Sequence, residues 1–129
     1  MTQDIMDKAD TALASARLLL DAGDSDGASN RAYYAMFDAT IAALIWAGAG
    51  AEGRTPRTHS GLIGAFGQHL VQAALLPAEF GRSLNRVHEL RLTGDYLAAP
   101  VPTDKAEWAV QEAEGFVAGV RHLLTKPKI

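Results

Sequence analysis

Apolar residues recur every three to four positions along most of this chain, the spacing of helices that bury one face. Ile5, Ala9, Ala12, Leu13, Ala16, Leu19 and Leu20 form the first stripe, from Asp4 to Leu20, and Ala22-Gly23-Asp24 reads as its cap and turn. Asp24 or Ser25 is placed to cap a second helix, with Asp26 in its first turn, running to about Gly48. That helix is apolar on two sides. Ala28, Ala32, Ala35, Met36 and Ala39 lie on one, and Tyr33, Phe37, Ile41 and Leu44 on the other, as expected for the centre of a bundle. Ala47 to Thr58 reads as the long loop and carries Arg54 and Arg57. A third helix is expected after a cap at Thr58 or Ser60, with Leu62, Ile63, Phe66, Leu70 and Val71 inward. A fourth starts at Leu76-Pro77, buries Phe80, Leu84, Val87 and Leu90, and is ended by Gly94 and Pro100-Val101-Pro102. Thr103 caps a fifth, with Ala106, Ala109, Ala113, Phe116, Val117, Val120 and Leu124 as its stripe, before Lys126-Pro127-Lys128 frays. No segment alternates in the manner of a strand. Residues 1–129 are predicted to form one all-α domain, an up-and-down helical bundle of four to five helices.

Composition narrows the class. The 129 residues are 48% apolar and 21% charged, the balance of a folded globular chain. A net charge of −3 argues against a general nucleic-acid binder, which needs clustered Lys and Arg, but leaves room for a local basic cleft. Without cysteine there are no disulfides, thiolate metal sites or thiol nucleophiles. The opening Met1-Thr2-Gln3-Asp4 is unlike a signal peptide, and the weakly polar run Ala39 to Ala51 is too short to span a membrane. The cytoplasm is the expected location.

Phosphate loops, zinc spacings and dinucleotide fingerprints are absent, so neither a metal nor a cofactor is expected. The glycine-rich Gly61-Leu62-Ile63-Gly64-Ala65-Phe66-Gly67 falls inside a helical pattern and is expected to serve close helix packing. His59 opens a helix and suggests capping; His69 and His122 lie on polar faces. On the fourth helix His88, Arg91 and Asp95 are spaced i, i+3, i+7 and share a face, with Tyr96 next. An imidazole for proton transfer beside a guanidinium for phosphate suits RNA cleavage. The same spacing also fits an Arg91–Asp95 ion pair beside a surface His88. Arg31, Tyr34 and Asp38 repeat the spacing on the second helix, where a buried arginine clamped by a carboxylate and a phenol is the structural alternative.

These residues together resemble the HEPN family, in its stand-alone prokaryotic branch. The likeness rests on Leu-Leu-Leu-Asp-Ala-Gly-Asp ending the first helix, then Ala28-Ser29-Asn30-Arg31-Ala32-Tyr33-Tyr34-Ala35-Met36-Phe37. It continues with His59-Ser60-Gly61, Phe66-Gly67, Leu76-Pro77, and Arg91 with Asp95-Tyr96, in order along nearly the whole chain. The resemblance implies an α-helical bundle that homodimerises, associates with RNA, and works beside a minimal nucleotidyltransferase as a toxin–antitoxin pair. It also implies, in active members, a metal-independent ribonuclease in which an arginine stabilises phosphate and a histidine a short distance on moves protons. Arg91 matches that arginine, while Asp95 or Tyr96 stands at the histidine's place and Asp38 where many relatives have another histidine. A carboxyl of ordinary pKa ~4 is ionised at neutral pH and a phenol of ~10 is a weak base, so neither replaces an imidazole. Arg82–His88 and Arg54–His59 have the family's arginine-to-histidine spacing but lie outside its motif position. The resulting expectation is an RNA-associated module with weak or lost ribonuclease activity, using Arg91, Asp95 and Tyr96 with Asn30, Arg31 and Asp38. An active ribonuclease using Arg91 with His88 or Tyr96, and a non-catalytic adaptor for a nucleotidyltransferase, are the alternatives.

Overall fold

A computed structural model describes residues 1–49 and 58–127. Among the described residues there are five α-helices and no strand: α1 Thr2–Asp21, α2 Ser25–Trp46, α3 His59–Phe66, α4 Ala78–Tyr96 and α5 Thr103–Leu124. A π-helical stretch, Gly67–Val71, prolongs α3. The all-α bundle expected from periodicity is the fold. Most of the long loop, including Arg54 and Arg57, and the end of the chain from Lys128 lie outside the described residues.

α2 is the central helix and touches every other one. Its composition explains this. Ala28, Ala32, Ala35, Ala39, Ala42 and Ala43 are fully buried, so neighbouring backbones approach where larger side chains would hold them apart. α1 meets it with buried Ala9, Ala12 and Ala16. The buried Ser29 and Thr40 hydroxyls of α2 are satisfied locally: Ser29 Oγ donates to the Ser25 carbonyl at 2.9 Å and Thr40 Oγ1 to the Met36 carbonyl at 2.8 Å. At the far end of the bundle, Phe116 of α5 packs between Phe66 of α3 and Phe80 of α4, each pair of ring centroids 5.4 Å apart.

The helix ends refine the expected boundaries. Asp24, rather than Ser25, caps α2, its carboxylate accepting from the Gly27 N–H at 2.8 Å. Thr58, rather than Ser60, caps α3, its hydroxyl accepting from Gly61 N–H at 3.0 Å. Pro77 precedes α4 as its cap residue, and Pro102 takes the cap position of α5 that Thr103 was expected to hold. Gly94 does not end α4, which continues to Tyr96. A Cβ there would lie 3.0 Å from Val101 Cγ2 and 3.1 Å from Asp26 Oδ1, so this glycine admits the returning chain. Gly64 and Gly67 have nothing within 4 Å of an added Cβ among the described residues, so close packing does not account for them.

Candidate functional site

Three helices converge on one polar cluster within the bundle. At about 100° per residue, Asn30, Tyr33, Tyr34 and Phe37 fall on one side of α2. α4 brings His88, Arg91 and Asp95 to that side, and α3 enters with its first residue, His59.

Arg91 is the charged residue at the cluster's centre. It is only 5% exposed, and its guanidinium carbon sits 5.0 Å from the Tyr33 ring centre and 5.7 Å from that of Tyr34. Its NH1 donates to Asp95 Oδ2 at 3.1 Å and its NH2 to His88 Nδ1 at 3.2 Å. Its Nε is buried without a hydrogen-bond partner among the described residues. Asn30 Nδ2 reaches the same Asp95 oxygen at 3.4 Å. Below the arginine, Tyr33 is fully buried and its hydroxyl lies 2.7 Å from His59 Nδ1. The His59 and His88 rings stack with centroids 5.2 Å apart, and His88 lies 4.8 Å from the Tyr33 ring.

This network sets the tautomers. A guanidinium only donates, so His88 Nδ1 must be the acceptor. Among the described residues the buried Tyr33 hydroxyl has one acceptor in reach, and leaving that proton unpaired would be costly, so it donates to His59 Nδ1. Each neutral ring therefore carries its proton on Nε2. The acidities agree. Burial pushes Tyr33 up to about 12 against the pull of Arg91, so the phenol stays protonated. Burial, then the Arg91 charge, lowers His59 below its ordinary value, and the same causes plus His59 lower His88. The two imidazoles, Arg91 and Asn30 thus form a set of donors with no free basic nitrogen.

Of the residues singled out from sequence, the fold unites Asn30, His88, Arg91 and Asp95. Tyr96 is 77% exposed and makes no hydrogen bond within the cluster, so it is not placed to replace a catalytic histidine there. Arg31 and Asp38 sit about a quarter turn round α2 and line a separate groove of about 290 Å³ with Asp4, Asp7, Lys8 and Thr11 of α1. Burial raises the Asp38 carboxyl, partly offset by Lys8 and Arg31. Arg31 is not the clamped, buried arginine; it lies half-buried at 5.6 Å from the Tyr34 ring centre, and the buried one is Arg91. His59 and Tyr33 join the cluster without having been singled out. Their sequence signal was a histidine beside a helix cap and a tyrosine among apolar neighbours, both of which read as structural. Among the described residues no helix is long and apolar enough to cross a membrane, and no three His, Cys, Asp or Glu are grouped to hold a metal ion.

An all-α bundle with this Asn-Arg-Ala-Tyr-Tyr helix facing a buried arginine matches the HEPN domain family, whose model aligns with residues 2–123. The chain belongs to that family. A UPF0332 protein of Gloeobacter violaceus is 43% identical over 94 residues, 73% of this chain and 71% of the relative. A UPF0332 protein of Thermotoga maritima is 34% identical over 114 residues, covering 87% and 82%. A Methanocaldococcus jannaschii protein bearing the name "Putative toxin" is 29% identical over 122 residues, covering 95% and 87%.

Proposed function

We propose that this chain is an RNA-binding, toxin-like HEPN module whose Arg91 cluster grips a backbone phosphate, with little intrinsic ribonuclease activity. The observation that carries this reading is the spent Nδ1 of both histidines. With Tyr33 on one and Arg91 on the other, the neutral cluster offers N–H donors, which suit a phosphate oxygen, and no base for a ribose hydroxyl. The likeness to a relative named as a toxin supports the biological half of the reading. The test is binding of labelled single-stranded RNA by fluorescence anisotropy. Arg91→Ala is expected to abolish binding while the melting curve stays cooperative; unchanged affinity would overturn the reading.

The His88–Arg91 contact supports one second reading, an active ribonuclease. If a bound phosphate drew the Arg91 NH2 away, His88 Nδ1 would be free to take the ribose 2′-hydroxyl proton as that oxygen attacks phosphorus. The 5′-oxygen would leave with that proton, returned by the His88 imidazolium, closing a 2′,3′-cyclic phosphate. Appearance of that product with the wild-type chain, and its loss in His88→Ala, would favour this reading over the first. The homodimer and the nucleotidyltransferase partner implied by family likeness belong to the same proposal. A monomer in light scattering at micromolar concentration would remove the first, and failure to co-purify with a nucleotidyltransferase encoded beside it the second.

A further inference from the structure

Asp95 occupies an unusual place. It lies in the last turn of α4, where the helix dipole disfavours a carboxylate and no basic side chain of that turn offsets it. What holds it there is the pair of donors that meet on its Oδ2, Arg91 NH1 at 3.1 Å and Asn30 Nδ2 at 3.4 Å. A guanidinium and an amide converging on one anionic oxygen is also how a phosphate oxygen would be bound. The partners differ in freedom. Arg91 is packed against two tyrosine rings and 5% exposed, whereas the Asp95 side chain is 27% exposed and can leave by a rotamer change.

We infer that Asp95 is a resident anion occupying the phosphate subsite, and that RNA binds by displacing it from Arg91 and Asn30. This rests on the proposed reading of the cluster as a phosphate grip. The aspartate is then an internal competitor that lowers affinity. Two negative charges cannot share one guanidinium without repulsion, so the carboxylate must rotate into solvent as the phosphate arrives. The alternative role is orientation, in which Asp95 holds Arg91 ready and its loss weakens binding. The two predict opposite signs.

The experiment is an anisotropy titration of labelled single-stranded RNA against the full chain at low salt. Asp95→Asn keeps an acceptor for Arg91 and removes the charge. It is expected to tighten binding by about tenfold, the scale of one charge-assisted contact. Asp95→Ser should act in the same direction and covers the case in which the asparagine variant folds poorly. Glu107→Gln, an exposed charge on α5, controls for the general change in net charge and should alter affinity less than about twofold. Asp95→Asn affinity equal to or below wild type, with Arg91→Ala still abolishing binding, overturns the displacement and leaves the phosphate grip standing. Tightening no greater than in the Glu107→Gln control also overturns it. Unchanged binding in Arg91→Ala fails the underlying reading instead.

Discussion

Tyr33 has one hydroxyl proton and gives it to His59 Nδ1 at 2.7 Å inside a fully buried setting. Tyr33→Phe removes the donor and leaves an imidazole nitrogen without its partner. We expect a stability loss of about 1 kcal/mol by urea denaturation. Arg91 depresses both histidines, so in an NMR titration Arg91→Ala should move the His59 and His88 midpoints up together. The depressed values also fix the sign of the pH dependence. Below the ordinary 6.5 the unfolded chain takes up protons that the folded cluster refuses. Stability contributed at neutral pH is therefore lost as pH falls through the window below 6.5, and should be measurable as a declining urea midpoint. Asp38, whose carboxyl is raised, acts in the opposite sense in the range just above 3.8, where stability falls as pH rises. Residue spacing made part of this cluster legible. His88, Arg91 and Asp95 share a helix face by simple periodicity. His59 does not, because it meets Tyr33 across 26 positions of sequence and no local rule joins them. Arg31 and Asp38 were grouped with Asn30 by nearness in sequence, yet the helical turn carries them round towards α1.

The elements themselves were readable because each buries a stripe at helical spacing. Their ends were less so, since a glycine or a proline has more than one local meaning. Gly94 looked like a helix breaker, but it serves as a gap for Val101 and Asp26, where the Val101 N–H donates to the Asp26 carboxylate at 2.8 Å. Gly119 of α5 is a similar gap that sequence did not flag. A Cβ at Gly119 would stand 2.4 Å from the Phe80 Cε2 and Cζ atoms. The half-buried Phe80 ring packs on Phe116 and would have to shift to admit the methyl group. Gly119→Ala should therefore destabilise the chain by about 1–3 kcal/mol in thermal or urea denaturation. Phe80→Leu in the Gly119→Ala background should recover part of that loss, because the two changes share one space and do not add.

At the scale of the whole molecule, electrostatics restrict where RNA could bind. The chain has 12 Lys and Arg against 15 Asp and Glu. Several of its arginines are engaged. Arg17 pairs with Glu114 and Arg121 with Asp10, both at 2.6 Å, fastening α1 to α5 on an exposed face, and Arg91 pairs with Asp95. The exposed pairs contribute only about 0–1 kcal/mol each to stability, but they keep those cations occupied. An acidic body with one buried arginine donor site should neutralise very few phosphates. The logarithm of the affinity for single-stranded RNA is then expected to fall with the logarithm of salt concentration at a slope of about −1 to −2, far shallower than for proteins that coat the backbone. Arg91→Ala should abolish this binding rather than flatten it. A slope steeper than about −4 would mean that several phosphates are held on another face, and would move the functional reading away from the Arg91 cluster.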